Sequence, residues 1–217
     1  MLKRGEAIIS SLKGAASRVV KNNIKFGIRV PQTVNEALRF DKNNGNHLCR
    51  YGIAKDIKAV MIAFKILGEG EKPPPTYQEI RCHIIFDIKM EDFQKKAQYV
   101  ARGHATVAPP TLMYASVVLK ESIRISLMLA VLKDLEVKTS DIQNAYLTTP
   151  CSEKICTTLG SEFGPDLAGK KALVIRALYG LKYAGDSFIN HLTECMINIG
   201  YSSFLEDPDY GLRRKHA

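Results

Sequence analysis

Residues 139–147 read Thr139-Ser140-Asp141-Ile142-Gln143-Asn144-Ala145-Tyr146-Leu147, and this nonapeptide contributes more to the fold prediction than any other segment. The residues from 137 to 147 predict a strand that leads into a turn or short helix. A carboxylate near the end of that strand, beside a backbone carbonyl such as that of Ile142, offers the hard oxygen donors that Mg²⁺ prefers. On the local pattern alone, an aspartate that caps the following turn and an ordinary buried Tyr146 remain open alternatives.

The composition indicates a globular, basic chain. Hydrophobic residues make up 46% of its 217 residues, which permits a packed core. Its 31 Lys and Arg residues against 22 Asp and Glu residues give a net charge of +9. A basic excess of this size favours nucleic acid as partner first and an anionic membrane second, with a merely solvated basic face as the alternative.

The five cysteines are odd in number and match no zinc-ligand spacing, so we interpret them as reduced thiols. This indicates an intracellular protein, either cytoplasmic or nuclear. No apolar run approaches the roughly 18 residues that a membrane-spanning helix needs, so no membrane partner is predicted. Residues 1–25 are basic and amphipathic, with a slight resemblance to a transit peptide. A surface helix or an arm that faces nucleic acid is the favoured interpretation of this segment.

The N-terminal third is predicted to be helical. Thr33 and Glu36 form a capping box for a short helix that ends near Lys42. A second helix is predicted from residue 47 to residue 67, ended by glycines, and residues 72–75 predict an extended connector. The main domain boundary is therefore placed after this connector, with a helical, basic extension and linker over 1–75 and a second domain over 76–217.

The second domain is predicted to mix strands and helices. Alternating apolar residues over 80–90 indicate a half-buried strand, and 96–102 is its expected hairpin partner. Such a hairpin would present a group of basic side chains together: Lys89, Lys95, Lys96 and Arg102. The apolar helix at 121–134 is predicted to be buried on most sides or to pack against a sheet. The remaining predicted elements are strands at 155–158 and 171–178, a helix at 184–199, and a last strand from Tyr210.

The nonapeptide resembles the Leu-Asp-Val-x-Asn-Ala-Phe-Leu motif of copia-type retrotransposon reverse transcriptases. The resemblance implies that Asp141 binds the catalytic Mg²⁺ ions, with the Ile142 carbonyl beside it. It also implies that Tyr146 is the aromatic steric gate, whose ring excludes the 2′-hydroxyl of an incoming nucleotide. A second segment, Ala177-Leu178-Tyr179-Gly180-Leu181-Lys182, is similar to the family signature Ala-Leu-Tyr-Gly-Leu-Lys. There Gly180 would let the backbone approach the nucleotide or template closely.

Weaker matches extend the resemblance in a consistent order from Phe26 to Tyr210. Residues 96–103 resemble the family's Lys-Ala-Arg-Leu-Val-Ala-Lys-Gly in the fingers hairpin, which implies that Lys96 and Arg102 neutralise nucleotide phosphates. Gln98 stands where the family usually has arginine, which weakens that expectation. Residues 199–201 and 207–209 resemble the family's Leu-Gly-Phe and Asp-Pro-Asp segments.

The resemblance implies an α+β fold. It would comprise part of the reverse-transcriptase fingers and palm, an antiparallel sheet with packed helices, preceded by a helical N-terminal extension. The implied partners are an RNA template, a DNA primer and a deoxynucleotide, with Mg²⁺ as cofactor. The family carries a Tyr-x-Asp-Asp motif downstream, whereas this chain contains no Asp-Asp pair. We therefore expect a chain truncated before that motif and inactive alone, with a catalytically dead nucleic-acid-binding remnant as the alternative.

Overall fold

The computed structural model describes residues 23–106, 118–203 and 211–213. The predicted N-terminal helix at 1–25 therefore lies almost wholly outside the described residues. The helices are α1 (Val34–Asn43), α2 (Leu48–Val60), α3 (Lys120–Leu132) and α4 (Ala184–Asn198). The strands are β1 (Ile24–Lys25), β2 (Ile28–Arg29), β3 (Phe64–Ile66), β4 (Gln78–Glu79), β5 (Cys82–Ile88), β6 (Lys95–Ala101), β7 (Ile155–Thr158), β8 (Lys171–Val174), β9 (Tyr201–Ser203) and β10 (Gly211–Arg213). The mixture of α and β elements confirms the coarse fold class.

The start of α1 follows the prediction closely. Thr33 is the N-cap, and its hydroxyl accepts a hydrogen bond from the Glu36 N–H at 3.1 Å. The Glu36 carboxylate accepts from the Gln32 N–H at 2.9 Å, one residue before the group that a capping box would use. The first turn of α1 is thus fixed from both sides by its own sequence.

The second predicted helix is shorter than expected. It ends at Val60, continues as a 3₁₀ turn over Met61–Ala63, and gives way to β3. Phe64 and Leu67 therefore belong to or flank a strand rather than a helix. The spacing of these residues is compatible with the helical period and with the strand period. The strand forms because β3 pairs with β8.

The larger sheet has four strands in the order β3-β8-β7-β4. Three of these strands form antiparallel pairs, whereas β4 runs parallel to β7, so the predicted antiparallel sheet is mixed. One hydrophobic cluster includes Ile53 and Ile57 of α2, Tyr99 of β6 and Ile155 of β7. A domain boundary near residue 75 stays a prediction, although this cluster and the β3–β8 pairing join residues from both sides of it.

The predicted hairpin is confirmed by the antiparallel pairing of β5 and β6. Helix α2 covers the edge of β6 that does not pair with β5. The Asp56 carboxylate accepts the Tyr99 N–H at 2.5 Å, and a Cβ on Gly52 would lie 3.2 Å from the Lys95 carbonyl oxygen. A strand edge covered in this way cannot recruit another strand, which protects the hairpin from edge-to-edge pairing.

Replacing Asp56 by alanine should destabilise the fold by about 1–3 kcal/mol, because the Tyr99 N–H at the covered edge loses its acceptor. Asp56→Asn keeps an acceptor oxygen and should cost less. Urea unfolding of the three proteins measures the difference, and equal midpoints for Ala and Asn would contradict the edge-capping role.

The pH dependence gives a second readout for Asp56. Burial raises the pKa of this carboxyl, while the Tyr99 N–H and the charge of Lys96 lower it less. A raised folded-state pKa means that the contribution of the group is fully present below its unfolded pKa and is lost as pH rises through the folded one. The stability of Asp56→Asn relative to the wild type should therefore increase from pH 3 to pH 7.

Helix α3 forms as predicted, but its predicted burial is wrong. Ala130 is the one buried residue of this helix, and large apolar side chains such as Met128 (61% exposed) and Val131 (82% exposed) face solvent. Apolar character on all sides predicts burial only where something covers the helix. The described residues supply no such cover.

The strand predicted over 137–147 is also wrong. Residues 135–142 adopt no regular secondary structure and are exposed, and a 3₁₀ turn follows at Ala145–Thr148. The predicted turn or short helix is thus confirmed, and the strand before it is absent. A strand requires a hydrogen-bonded neighbour, and no described strand pairs with these residues.

The C-terminal elements follow the sequence. Strand β7 matches its prediction, whereas β8 ends at Val174, before the predicted end at Leu178, with an isolated bridge between Pro150 and Arg176. Helix α4 ends before Gly200, whose φ of +89° suits glycine. The last strand begins at Gly211, one residue after the predicted start, and pairs with β9.

Candidate nucleotide site

The turn at Gly180 packs against the base of the β5–β6 hairpin with backbone against backbone. The Ala101 N–H donates to the Tyr179 carbonyl at 2.8 Å. A Cβ on Gly180 would lie 2.2 Å from the Ala101 carbonyl oxygen, and one on Gly103 would lie 2.0 Å from the Gly180 carbonyl oxygen. The close approach expected at Gly180 therefore exists, and its partner here is the chain's own hairpin. A contact of Gly180 with nucleotide or template stays a prediction.

Lys182, the last residue of the same signature, continues this junction. Its ammonium group donates to the carbonyl of Thr106, and the buried Thr106 hydroxyl donates to the Gly103 carbonyl at 2.8 Å. The motif from Ala177 to Lys182 thus holds the hairpin to the rest of the domain. The sequence did not reveal this role for Lys182, because the motif alone does not show what its lysine contacts.

Tyr146 lies in the same site as the turn at Gly180. Its half-buried ring packs against the ring of Tyr179, with 4.7 Å between centroids, and against Phe188 of α4 at 6.0 Å. Leu147 beside it is 2% exposed and anchors the 3₁₀ turn in the main cluster. The two motifs, which are more than 30 positions apart in the sequence, are therefore joined through an aromatic contact.

Asp141 is exposed, and its charge acts on this aromatic group. Burial raises the pKa of Tyr179, and the neighbouring Tyr146, Asp56 and Asp141 raise it further through their charges. Both carboxylates are thus close enough to Tyr179 to act on it electrostatically. Asp141 is exposed, whereas Asp56 is half-buried and already accepts the Tyr99 N–H.

A magnesium ion at this position would have few protein ligands. Within 23–106, 118–203 and 211–213, no three His, Cys, Asp or Glu side chains come together as a ligand set. Asp141 and the Ile142 carbonyl can supply two oxygens for one ion. A two-metal centre needs ligands for a pair of ions about 3.5–4 Å apart. The described donors do not fit such a pair, and magnesium binding by Asp141 and Ile142 stays a prediction.

The basic residues of the β5–β6 hairpin lie on two different faces. Lys96 is exposed and lies across from Asp87 in the β5–β6 register, and the exposed Arg102 follows β6. Lys95 instead lies on the inner face, with its ammonium 3.9 Å from the Asp41 carboxylate. The expectation that Lys95 joins the other basic residues of the hairpin is therefore wrong, because alternate side chains of a strand point to opposite faces. Phosphate binding by Lys96 and Arg102 stays a prediction.

Around Arg102 the hairpin surface is basic. Burial lowers the pKa of His83, and the positive charges of Arg102 and His104 lower it further. Arg102 also donates its N–H to the Arg81 carbonyl at 3.0 Å, which fixes its backbone at the base of the hairpin. Arg102, His83 and His104 therefore form a group of basic side chains close to the turn at Gly180.

The cysteines agree with their interpretation as thiols, since all five are unpaired in the structure. Burial raises the pKa of Cys151 to about 11, with a smaller rise from Glu153 and an opposing hydrogen bond to the Glu153 backbone. Among the described residues no helix has the length and apolar character needed to cross a membrane.

Comparison with known proteins agrees with the geometry. A family model described as reverse transcriptase (RNA-dependent DNA polymerase) matches residues 71–212, which is more than half of the chain. Over 144 residues the chain is 27% identical to the retrovirus-related Pol polyprotein from transposon RE2 of Arabidopsis thaliana. That match covers 62% of this chain and 10% of the polyprotein, so the chain spans about a tenth of the relative's length. The matched range contains both motifs joined at Tyr146 and Tyr179, and the chain belongs to the reverse transcriptase (RNA-dependent DNA polymerase) family, as its resemblance to the copia-type retrotransposon enzymes predicted.

Proposed function

We propose that this chain is part of a copia-type retrotransposon reverse transcriptase and that it does not polymerise DNA by itself. The proposal assigns β5–β6 to the fingers and the segment around Asp141 to the palm. The family reaction is RNA-directed DNA synthesis by two-metal nucleotidyl transfer. A primer 3′-oxygen forms a bond to the α-phosphorus of a deoxynucleotide, and the bond to the leaving pyrophosphate breaks. The proton of the 3′-hydroxyl leaves to water or a base.

The observation that carries this proposal is the contact between Tyr146 and Tyr179. It brings the steric-gate position of one motif beside Gly180 of the other, with the exposed Asp141 nearby. A deoxynucleotide in this site would have its sugar against the Tyr146 ring. Its phosphates would be nearest the basic group at the base of the hairpin, which includes Arg102, whereas Lys96 lies at the other end of β6.

We expect the chain alone to be inactive because it has too few carboxylate ligands for two Mg²⁺ ions. The sequence has no Asp-Asp pair. Of the two carboxylates whose charge raises the pKa of Tyr179, Asp141 is the exposed one that could still bind a metal ion. We expect no primer extension on a poly-rA template with an oligo-dT primer, deoxynucleotide and Mg²⁺. An intact reverse transcriptase under the same conditions is the positive control, and Asp141→Asn is the matched variant. Robust incorporation by the wild-type chain that Asp141→Asn abolishes would overturn the proposed inactivity.

A catalytically dead nucleic-acid-binding remnant is the second candidate, and the net charge of +9 favours it. The two candidates differ in what they bind. A polymerase fragment with a functional gate binds a deoxynucleoside triphosphate better than the ribonucleotide, and Tyr146→Ala removes that preference. A remnant binds nucleic acid with a steep dependence on salt but has no preference between the two triphosphates. Equilibrium dialysis with the two nucleotides separates them.

A further inference from the structure

A second basic surface lies where α1 ends and α2 begins. The last turn of α1 and the first turn of α2 enclose an open depression of about 580 Å³. Four basic side chains line it, namely Arg39, Lys42, His47 and Arg50, together with the buried carboxylate of Asp41. All four basic residues are exposed, so they surround the opening rather than fill it.

The cations of this surface are not neutralised by the described residues. Lys25, Arg29 and Lys171 each form an ion pair, whereas Arg39, Lys42 and Arg50 form none within 23–106, 118–203 and 211–213. The Asp41 carboxylate is already occupied. It accepts the backbone N–H groups of Cys49 at 3.0 Å and Arg50 at 2.8 Å, and it lies 3.9 Å from the Lys95 ammonium. The opening therefore presents an excess of positive charge.

The backbone between the two helices fixes the helix ends that carry these cations. The Asn46 N–H donates to the Asp41 carbonyl at 3.0 Å, and the Asn46 side chain accepts from the Leu48 N–H at 3.3 Å. Gly45 turns the chain with a φ of +61°. Arg39 and Lys42 are three positions apart on α1, so they lie on the same side of that helix. Cations on two fixed helix ends thus face one concave surface.

We propose that this surface binds the phosphate backbone of a nucleic acid. Separate, exposed cations spaced around an opening suit a chain of phosphates better than one small anion, because each phosphate can pair with its own cation. The lining residues all precede residue 71, outside the range matched by the family model. Lys95 at the start of β6 adjoins this surface, whereas Ala101 at the end of β6 contacts the turn at Gly180. The surface is therefore separate from the candidate nucleotide site. The inference goes beyond the polymerase proposal and deepens the second candidate function, since it names a surface that would bind nucleic acid.

The test compares two triple variants of the full chain with equal loss of charge. The first is Arg39→Gln, Lys42→Gln, Arg50→Gln, and the matched control is Lys55→Gln, Lys58→Gln, Lys65→Gln, whose lysines are exposed on α2 and β3. Fluorescence anisotropy measures binding to labelled single-stranded RNA and DNA at several salt concentrations. We expect the first variant to lose affinity about ten-fold or more at low salt. Its plot of log affinity against log salt should be shallower by about 2, since each phosphate contact contributes about 0.7 on single strands.

Each outcome of this comparison decides for or against the proposal. An equal loss in both triple variants would mean a net-charge effect and would overturn the proposal. Unchanged nucleic-acid binding in the first variant would overturn the proposal, and an accompanying loss of binding to vesicles that contain phosphatidylserine would assign the surface to lipid instead. Circular dichroism and urea unfolding check that each variant is folded, and the single variants Arg39→Gln and Arg50→Gln replace a triple that is not. The readout involves neither polymerisation nor nucleotide binding, so failure here is distinguishable from failure of the polymerase proposal. Nucleic-acid binding that stays steeply dependent on salt in both triple variants would leave the second candidate standing and overturn this surface alone.

Discussion

Gly180→Ala should destabilise the domain by about 3 kcal/mol or more, a large share of the 5–15 kcal/mol that a domain of this size has. Two costs combine at this position. Its φ of +89° disfavours any residue with a Cβ by about 1–2 kcal/mol. The added Cβ would also meet the Ala101 carbonyl oxygen at 2.2 Å, and overpacking against backbone adds about 1–3 kcal/mol. Urea unfolding followed by circular dichroism measures the loss.

Variants at two other glycines measure the backbone strain and the steric clash separately. Gly169 has a φ of +82° with nothing within 4 Å of its added Cβ, so Gly169→Ala reports the backbone strain alone. Gly103→Ala reports the clash, because its Cβ would lie 2.0 Å from the Gly180 carbonyl oxygen. Gly103 and Gly180 form one contact, so the double variant should cost less than the sum of the two single variants. Additive losses, or a Gly180→Ala cost no larger than that of Gly169→Ala, would contradict the tight junction.

The sequence predicted elements well where local pattern determines them. Alternation over residues 80–90 predicted β5, and the hairpin with β6 followed from it. Thr33 predicted the start of α1 because a hydroxyl at the N-cap satisfies a nearby backbone N–H. These predictions succeed because their causes lie within a few residues of each other, or on a strand and its immediate neighbour.

The failures concern features that depend on distant partners. Periodicity shows that α3 is apolar, but burial depends on a surface that covers it, and none of the described residues does. The strand over 137–147 is absent for the same reason, since no neighbouring strand pairs with it. Phe64 fits both helical and strand spacing, and it lies in a strand because it pairs with Val174 of β8.

The candidate site shows the same division. The motifs predicted that Tyr146 and the turn at Gly180 belong to one site, and the ring contact with Tyr179 agrees. No pattern indicated that Asp56 of α2 acts on the same tyrosine. An acidic residue on the polar side of a helix has no local signal that distinguishes it from a solvated one. The contacts of Asp56 with distant residues form only when α2 packs against β6, where the Tyr99 N–H donates to its carboxylate.

Asp41→Ala is expected to cost about 3 kcal/mol at pH 7, because one buried carboxylate serves three groups. Its two oxygens accept the N–H groups of Cys49 and Arg50 in the first turn of α2, where the N-cap His47 makes no side-chain bond. Loss of a cap costs about 1–2 kcal/mol, and unpaired buried donors cost about 1–3 kcal/mol. Lys95, whose side chain is 14% exposed, would lose its nearest carboxylate. Asp41→Asn keeps one acceptor oxygen and should lie between the wild type and alanine.

The pH dependence of that cost identifies the carboxylate as its source. Burial alone would raise the pKa of Asp41, but the N–H groups of Arg50 and Cys49 and the charge of Lys95 outweigh it and lower the pKa. A lowered folded-state pKa means that the stabilisation is present above the unfolded pKa and is lost as pH falls through the folded one. The gap in urea midpoint between the wild type and Asp41→Ala should therefore narrow from pH 7 to pH 3. Asp166→Ala, at an exposed carboxylate, should show no gap at either pH, and a gap for Asp41→Ala that does not change with pH would contradict the assignment.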